Sequence, residues 1–382
     1  MTHPLRGAAA IVGQGYSQLG SVPGVSAMEL LAQAAERAVE DAGLDFSDID
    51  GLCAGTFYHF WPTLSVAEYL RIEPAWSNAD MVGGSSFMAH VQQAALAIQA
   101  GLCHTVLIAY GSNARSLRDG AGLIETPWTE RWSAPAIPIA GYALAATRHM
   151  HQYGTTRAHL AEVAVAARKW AQRNPLATAR DELALDDVLA APQIATPFSK
   201  YDCCLVSDGA AAIVLTSADH AAHGRRKPVY VLGAASAHRH REIAQMGDLT
   251  STAAVQSGRA AFAMAGVAPK DVDVVQVYDA FTLNTLLFLE DLGFCAKGEG
   301  GAFVEGGAIA PGGRLAVNTS GGGLSFVHPG AYGLFGLSES VLQLRGETGA
   351  RQVEGARLAV AHGNGGTLSH QSTVVLGTAD YL

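Results

Sequence analysis

Ala42-Gly43-Leu44-Asp45-Phe46-Ser47-Asp48-Ile49-Asp50-Gly51-Leu52-Cys53 and Ala265-Gly266-Val267-Ala268-Pro269-Lys270-Asp271-Val272-Asp273-Val274-Val275-Gln276 carry one pattern twice. Laid over one another without a gap, they share Ala-Gly and an Asp-aliphatic-Asp step. Gly after an apolar-periodic run stops a helix, and the aliphatic run that follows reads as a buried strand. The spacing predicts a helix over 27–41 before the first stretch and one over 252–264 before the second. A strand ending in a glycine turn precedes each: Ala9-Ala10-Ile11-Val12-Gly13 and Val229-Tyr230-Val231-Leu232-Gly233. The chain is read as a duplication, with two βαβ-based α/β halves, right-handed crossovers and mixed, mostly parallel sheets. The halves are 1–222 and 223–382, divided at the polar, basic His223-Gly224-Arg225-Arg226-Lys227-Pro228. A loop insertion is expected at about 112–200 in the first half. Strand ends and helix N-termini from both copies converge at the junction, where a site is expected.

Between Met81 and Ala114 there is no Asp, Glu, Lys or Arg. Gly83, Gly84, His90, Gln92, Gln93 and Gly101 break that stretch, so it is not a membrane span. It reads as a helix over 85–100, buried on all sides, with Gly101 at its C-terminus, then a buried strand over 105–110. Charged residues make up 15% of the 382 residues and hydrophobic residues 49%, which excludes a disordered chain and implies a large hidden surface. The net charge of −9 lacks the footprint of a nucleic-acid binder. The five cysteines, Cys53, Cys103, Cys203, Cys204 and Cys295, have no metal spacing. They read as buried structural thiols of a reducing, cytoplasmic protein. The N-terminus has no signal-peptide layout.

Four segments, in their order and spacing, resemble the thiolase superfamily: Ser207-Asp208-Gly209-Ala210, Tyr278-Asp279-Ala280-Phe281, Val327-His328-Pro329-Gly330 and His362-Gly363-Asn364-Gly365-Gly366. The nearest branch is the sterol-carrier and lipid-transfer one. The resemblance implies a cysteine nucleophile at the start of the buried helix, where the backbone donors and dipole would acidify the thiol. This chain reads Val82-Gly83-Gly84-Ser85-Ser86-Phe87 there, with Gly84 at the nucleophile position. Tyr278 and Ala280 replace the histidine and cysteine of a His-Asp-Cys-Phe segment, and His362-Gly363-Asn364 replaces the second Cys-x-Gly. The His-Pro histidine remains, as His328.

Without either cysteine, acyl transfer by the usual route is not expected. The resemblance implies instead the aldolase type of this branch, which lacks the cysteine. The expected reaction is retro-aldol cleavage of a 3-hydroxyacyl-CoA thioester, giving a ketone or aldehyde and a shortened acyl-CoA. Tyr278 is the first candidate for base or proton donor. A phenol with a pKa near 10 needs a partner, which His328 or His362 would supply. Asp279 is expected to orient a partner or cap the following helix, and Tyr332 is a second candidate acid. Gly84, Ser85, Ser86, Gly363, Asn364 and Gly365 are candidates for holding the thioester oxygen, with N-capping the alternative for the two serines. Two other functions compete. One is a thiolase-type acyltransferase using a serine or a substrate-borne thiol; the other is a catalytically silent scaffold subunit. Arg115, Arg118 and Arg131 are the cations nearest a phosphate role, without an assignment, and Trp128 and Trp132 lie in a candidate lid. The resemblance further implies a homodimer and a small partner with an OB-fold and a zinc ribbon. No metal and no covalently bound cofactor are expected, with CoA entering as part of the substrate.

Overall fold

The structure is a computed structural model, and it describes residues 3–56, 58–117 and 138–382. The first half runs β1 (Ala9–Tyr16), α1 (Ala27–Ala42), β2 (Gly51–Ala54), α2 (Pro62–Leu70), β3 (Trp76–Asn78), α3 (Ser86–Gln99) and β4 (Thr105–Ser112). It continues with α4 (Ile139–Tyr153), α5 (Arg157–Gln172), α6 (Leu185–Ala190), a β5 (Gln193–Ala195) and β6 (Phe198–Ser199) ladder, β7 (Gly209–Ser217) and α7 (Ala218–Ala221). The second half runs β8 (Val229–His238), α8 (Ala254–Ala265), β9 (Val274–Val277), α9 (Thr282–Asp291), α10 (Gly300–Val304), β10 (Ala316–Val317), α11 (Gly333–Arg345), β11 (Leu358–Gly365) and β12 (His370–Gly377). The segment expected as a loop insertion is therefore mostly helical from residue 139 to 172. Its two helices are ordered by Gly154 in the left-handed region and by the Thr156 side chain capping α5.

The strand order is β10-β9-β11-β12-β8-β1-β7-β4-β2-β3, which mirrors itself about the β8–β1 contact. β2 runs parallel to β3 and β4, as β9 does to β10 and β11. β7 and β12 are antiparallel to both their neighbours. Each half is thus evenly mixed rather than mostly parallel, because β7 and β12 each come back beside the last strand of their own crossover. In the sheet the halves are joined by the antiparallel pairing of β1 with β8, Ala10 opposite Tyr230 and Ile11 opposite Val229.

The repeated sequence has a repeated mechanical role. Gly43 and Gly266 end α1 and α8 in the left-handed region, at φ 72° and 68°. The first Asp of each pair, Asp48 and Asp271, accepts the N–H of Asp45 or Ala268 at 2.8 Å and closes the turn. The second, Asp50 or Asp273, accepts the backbone N–H groups of Thr105 or Leu358 and pins the start of β4 or β11.

α3 packs on β4 and β7 of its own half and on β8, β11 and β12 of the other, while α11 touches β9, β11, β1 and β7. The two central helices are enclosed by both halves, with α1 and α8 outside. α11 is buried along its whole length. Its one acid, Glu339, is held bidentately by Arg351, with Nε and Nη2 each 3.0 Å from a carboxylate oxygen. Breaking such a buried pair costs about 3–5 kcal/mol. α3 is less enclosed than its sequence implies: it is buried over its first turns, but Leu96 is 46% exposed.

Candidate active site

The starts of α3 and α11 meet each other. A Cβ added at Gly333 would stand 2.0 Å from the carbonyl oxygen of Gly84. Tyr278 follows β9, and its N–H donates to the His362 carbonyl at 3.0 Å, so the strand pairing fixes where the ring points. The ring lies over Gly84: a Cβ there would be 1.9 Å from the ring edge. The Tyr278 hydroxyl is 2.9 Å from His328 Nε2. His328 is restrained by the following Pro329 and by its own N–H, which donates to Ser207 Oγ at 2.9 Å. Burial raises the Tyr278 phenol well above its ordinary value, with Cys204 and Tyr142 adding to the shift. Burial lowers the His328 imidazole to about 4. At neutral pH both groups are uncharged, and in the Nδ1–H tautomer of His328 the phenol donates to Nε2.

Asp279 does not cap α9, whose N-cap is Phe281 with no side-chain bond. Its carboxylate accepts the N–H of Gly323 at 2.6 Å and that of Leu324 at 3.4 Å. It thereby clamps the turn leading into His328. Residue 322 must be glycine, since a Cβ would sit 2.0 Å from the Asp279 carboxylate. Burial outweighs these bonds and raises the Asp279 pKa to about 7. Tyr332 gives one wall: its ring is stacked on His328 at 6.4 Å and meets Tyr278 edge-on at 6.0 Å. Its hydroxyl turns away to Ser320 Oγ at 3.0 Å.

The other sequence-predicted residues make the following contacts. Ser85 stands at the α3 N-cap position but makes no side-chain cap bond. Its Oγ is instead 2.8 Å from His370 Nδ1. Ser86 Oγ accepts the Val82 N–H at 2.9 Å. Gly363 packs against Ser85 Cα, and Gly365 against the Val82 carbonyl. His362 does not reach Tyr278 with its ring. Its Nδ1 faces Thr373 Oγ1 at 2.9 Å, its Nε2 faces Gln371 Oε1 at 3.0 Å, and its ring packs edge-on to Phe288. Burial brings its pKa down to about 3. Alternation along β11 explains this placement: Gly363 faces α3, so His362 and Asn364 face the other side. Asn364 Nδ2 donates to the Tyr142 hydroxyl at 2.7 Å.

Two residues of the site are not marked in the sequence. Cys204 N–H donates to the Ala280 carbonyl at 2.9 Å, which brings the thiol beside Tyr278, Tyr142 and Asp279. Burial, reinforced by the Asp279 charge, pushes that thiol to about 12, so it is no thiolate. Tyr142, on α4, is buried against Phe281 with ring centroids 4.6 Å apart. No motif marks either one; only the chain's return past Ala280 and Phe281 brings them in. Arg115 Nη1 donates to the Val206 carbonyl, while Arg118, Arg131, Trp128 and Trp132 lie outside the described residues. A cavity of about 540 Å³ beside α5, lined by Glu162, Arg168, Lys169, Glu182 and Asp187, includes neither Tyr278 nor His328. Among the described residues no cluster of three or more His, Cys, Asp or Glu is placed to hold a metal, and no helix is long and apolar enough to cross a membrane.

The profile of the family described as Thiolase C-terminal domain-like matches residues 235–378. An acetyl-CoA acetyltransferase of Methanothermobacter thermautotrophicus is 35% identical over 94% of this chain and 96% of its own. A 17-hydroxy-3-oxo-4-pregnene-20-carboxyl-CoA lyase of Mycobacterium tuberculosis is 35% identical over 90% of this chain and 92% of its own. Among solved structures, the Ltp2-ChsH2(DUF35) aldolase superposes with a TM-score of 0.90 at 30% identity, covering 98% of both chains. With this fold and these relatives, the chain belongs to the thiolase superfamily, in the sterol-carrier and lipid-transfer branch.

Proposed function

We propose that the protein is a carbon–carbon lyase that cleaves a 3-hydroxyacyl-CoA thioester by a retro-aldol reaction. The observation that carries this reading is the Tyr278–His328 pair seated over a residue 84 that has no side chain. Tyr278 does not ionise by itself, because burial holds its proton. It instead relays one: as the substrate 3-hydroxyl gives its proton to the phenol oxygen, the phenol passes its own to neutral His328 Nε2. The O–H electron pair forms the new C=O. The C2–C3 bond breaks, and its pair becomes the enolate of the shortened thioester, which is then protonated at C2. The products are a ketone or aldehyde and an acyl-CoA, with no net gain or loss of water or electrons.

The names of relatives support the same chemistry, in the lyase above and in a steroid side-chain-cleaving aldolase of Thermomonospora curvata, 32% identical over 94% of this chain. Acyl transfer lacks a thiolate here: Cys204 is a neutral thiol, and Ser85, beside His370 Nδ1, is fully buried. The protein is a cytoplasmic homodimer working with a small OB-fold, zinc-ribbon partner. The exposed Phe60, Trp61 and Leu64 at the start of α2 support a covered face, and the similar Ltp2-ChsH2(DUF35) aldolase carries a DUF35 component in its own name. The test is incubation with a panel of 3-hydroxyacyl-CoA thioesters, followed by detection of released carbonyl product. Acetyl-CoA exchange with CoA, without carbonyl release, would instead establish an acyltransferase.

A further inference from the structure

The cavity of about 540 Å³ beside α5 lies outside the catalytic arrangement and has a buried cation in its wall. Arg168 is 7% exposed, yet among the described residues it has no ion-pair partner. Its Nε–H donates to Ser325 Oγ at 3.1 Å and its Nη1 to the Asp181 carbonyl at 3.0 Å. A guanidinium has about five N–H donors in a planar fork that matches a carboxylate. Both hydrogens of Nη2 and the second of Nη1 are therefore unused. Nη2 meets open space and is not sealed in the interior. The Tyr201 ring centre is 6.0 Å from the guanidinium carbon. Burial works against the Arg168 charge, offset only in part by Tyr201 and Asp181. Buried charges are normally paired, and one that is not needs a reason.

The rest of the lining selects the kind of anion. Val165, Leu183 and Leu185 give the cavity an apolar wall, which belongs to a small cluster apart from the main core. Lys169, Glu182 and Asp187 are exposed, so water screens them. Glu162 accepts the N–H groups of Gly306 and Gly307 at 3.4 and 3.3 Å. With these acids present, a doubly charged phosphate is disfavoured. A singly charged carboxylate on a hydrocarbon body meets the buried cation and the apolar wall together. The same wall holds the turn that carries His328. Arg168 holds Ser325, and the N–H groups of Thr178 and Ala179 donate to the carbonyls of Phe326 and Ser325, each at 3.0 Å. Asp279 holds that turn at Gly323 and Leu324.

We propose that this cavity binds a monocarboxylate with a short hydrocarbon chain, its carboxylate on the unused guanidinium donors of Arg168 and its chain against Val165, Leu183 and Leu185. Occupancy ties α5 and the segment 178–187 more firmly to the turn before His328. This is a second site, and it does not depend on the lyase reading. The probe is octanoate, titrated into the full chain by calorimetry. Octanamide serves as the neutral analogue and inorganic phosphate as the competing kind of anion. Amide hydrogen exchange, read by mass spectrometry, locates the site.

Octanoate is expected to bind saturably, and at least about tenfold more tightly than octanamide, the difference that hydrogen bonds to a charged group supply. Arg168→Met keeps the apolar stem and is expected to erase that preference. Bound octanoate is expected to slow exchange at least about threefold in 162–187 and 321–328. Equal affinity for octanoate and octanamide overturns the proposal, as does the absence of saturable binding. An unchanged octanoate affinity in folded Arg168→Met overturns it too. Protection confined to the residues around Gly84 and Tyr278 would place octanoate in the catalytic arrangement and overturn the second site. Phosphate binding more tightly than octanoate overturns the carboxylate assignment, because the apolar wall would then contribute nothing. Should Arg168→Met fail to fold, the octanamide comparison and the exchange pattern of the wild type decide.

Discussion

Tyr278 occupies the space that any side chain on residue 84 would need, with the ring edge 1.9 Å from the position of a Cβ. The two positions are thus mutually exclusive: an aromatic at 278 requires glycine at 84. Restoring the cysteine alone is therefore expected to fail. Gly84→Cys should lower stability by about 1–3 kcal/mol through overpacking and form no acyl-enzyme. Gly84→Cys combined with Tyr278→Ala should recover that stability. Thermal midpoints and intact-protein mass after acyl-CoA treatment check this. An acylated Gly84→Cys single variant with an unchanged midpoint would refute the exclusion.

Tyr278→Phe keeps the ring over Gly84 and removes the hydroxyl that faces His328. Carbonyl release is expected to fall by about 10²–10⁴, with the fold intact by circular dichroism. The acid limb of kcat/KM should lie near 4, where His328 in its buried setting takes up a proton. A limb between 6 and 7 would instead assign control to Asp279.

Asp279 titrates in the opposite sense from an ordinary acid of a folded protein. Its folded pKa, about 7, lies above the ordinary aspartate value of 3.8. Its stabilising contribution is therefore complete below about 4 and is lost as pH rises through 7. At about 1.4 kcal/mol for each pH unit separating the folded and unfolded values, the change is at most about 4 kcal/mol. Urea unfolding of wild type and Asp279→Asn at pH 4.5 and 7.5 measures it. The difference should move in favour of Asn at the higher pH, and a pH-independent difference would refute the raised pKa.

Ser85→Ala removes the bond to His370 Nδ1, which the lyase reading needs only as a fastening. Cleavage should stay within about threefold while the midpoint drops, in line with the ~1 kcal/mol of one hydrogen bond. Loss of activity beyond tenfold would return Ser85 to the chemistry.

His362 is expected to stay neutral from pH 5 to 8 with its proton on Nε2, as burial and Gln371 dictate. Ring ¹⁵N chemical shifts read both properties. Titration near 6.5, or the Nδ1–H tautomer, would contradict the bonds to Gln371 and Thr373.

The duplication is legible in the sequence because its signals are local. Ala-Gly stops a helix, and Asp-x-Asp closes a turn and pins a strand, whatever the rest of the chain does. Tyr278 and His328 are legible through the motifs that hold them. The motif around His362 places the residue but not its side chain, and strand alternation turns the ring away from Tyr278. Ser85 reads as a cap because it precedes a helix, yet the nearby His370 offers a better partner. Tyr142 and Cys204 carry no sequence signal, since their roles depend on contacts across more than 70 residues of sequence with Ala280, Phe281 and Asn364. The repeated βαβ pattern suggests more parallel pairing than the sheet has, because the directions of β7 and β12 are set by tertiary pairing.

The touching starts of α3 and α11 bring the two halves of the mirrored strand order together, so the candidate centre draws on both. A pair of identical subunits would have to carry the same residue at both helix starts. A single fused chain is free of that constraint. It can give up a side chain at Gly84 on one side while keeping His328 on the other, and each loss can be matched by a gain such as Tyr278. Gly84 comes from the first half and Tyr278 with His328 from the second, so neither half retains the arrangement if the chain is divided.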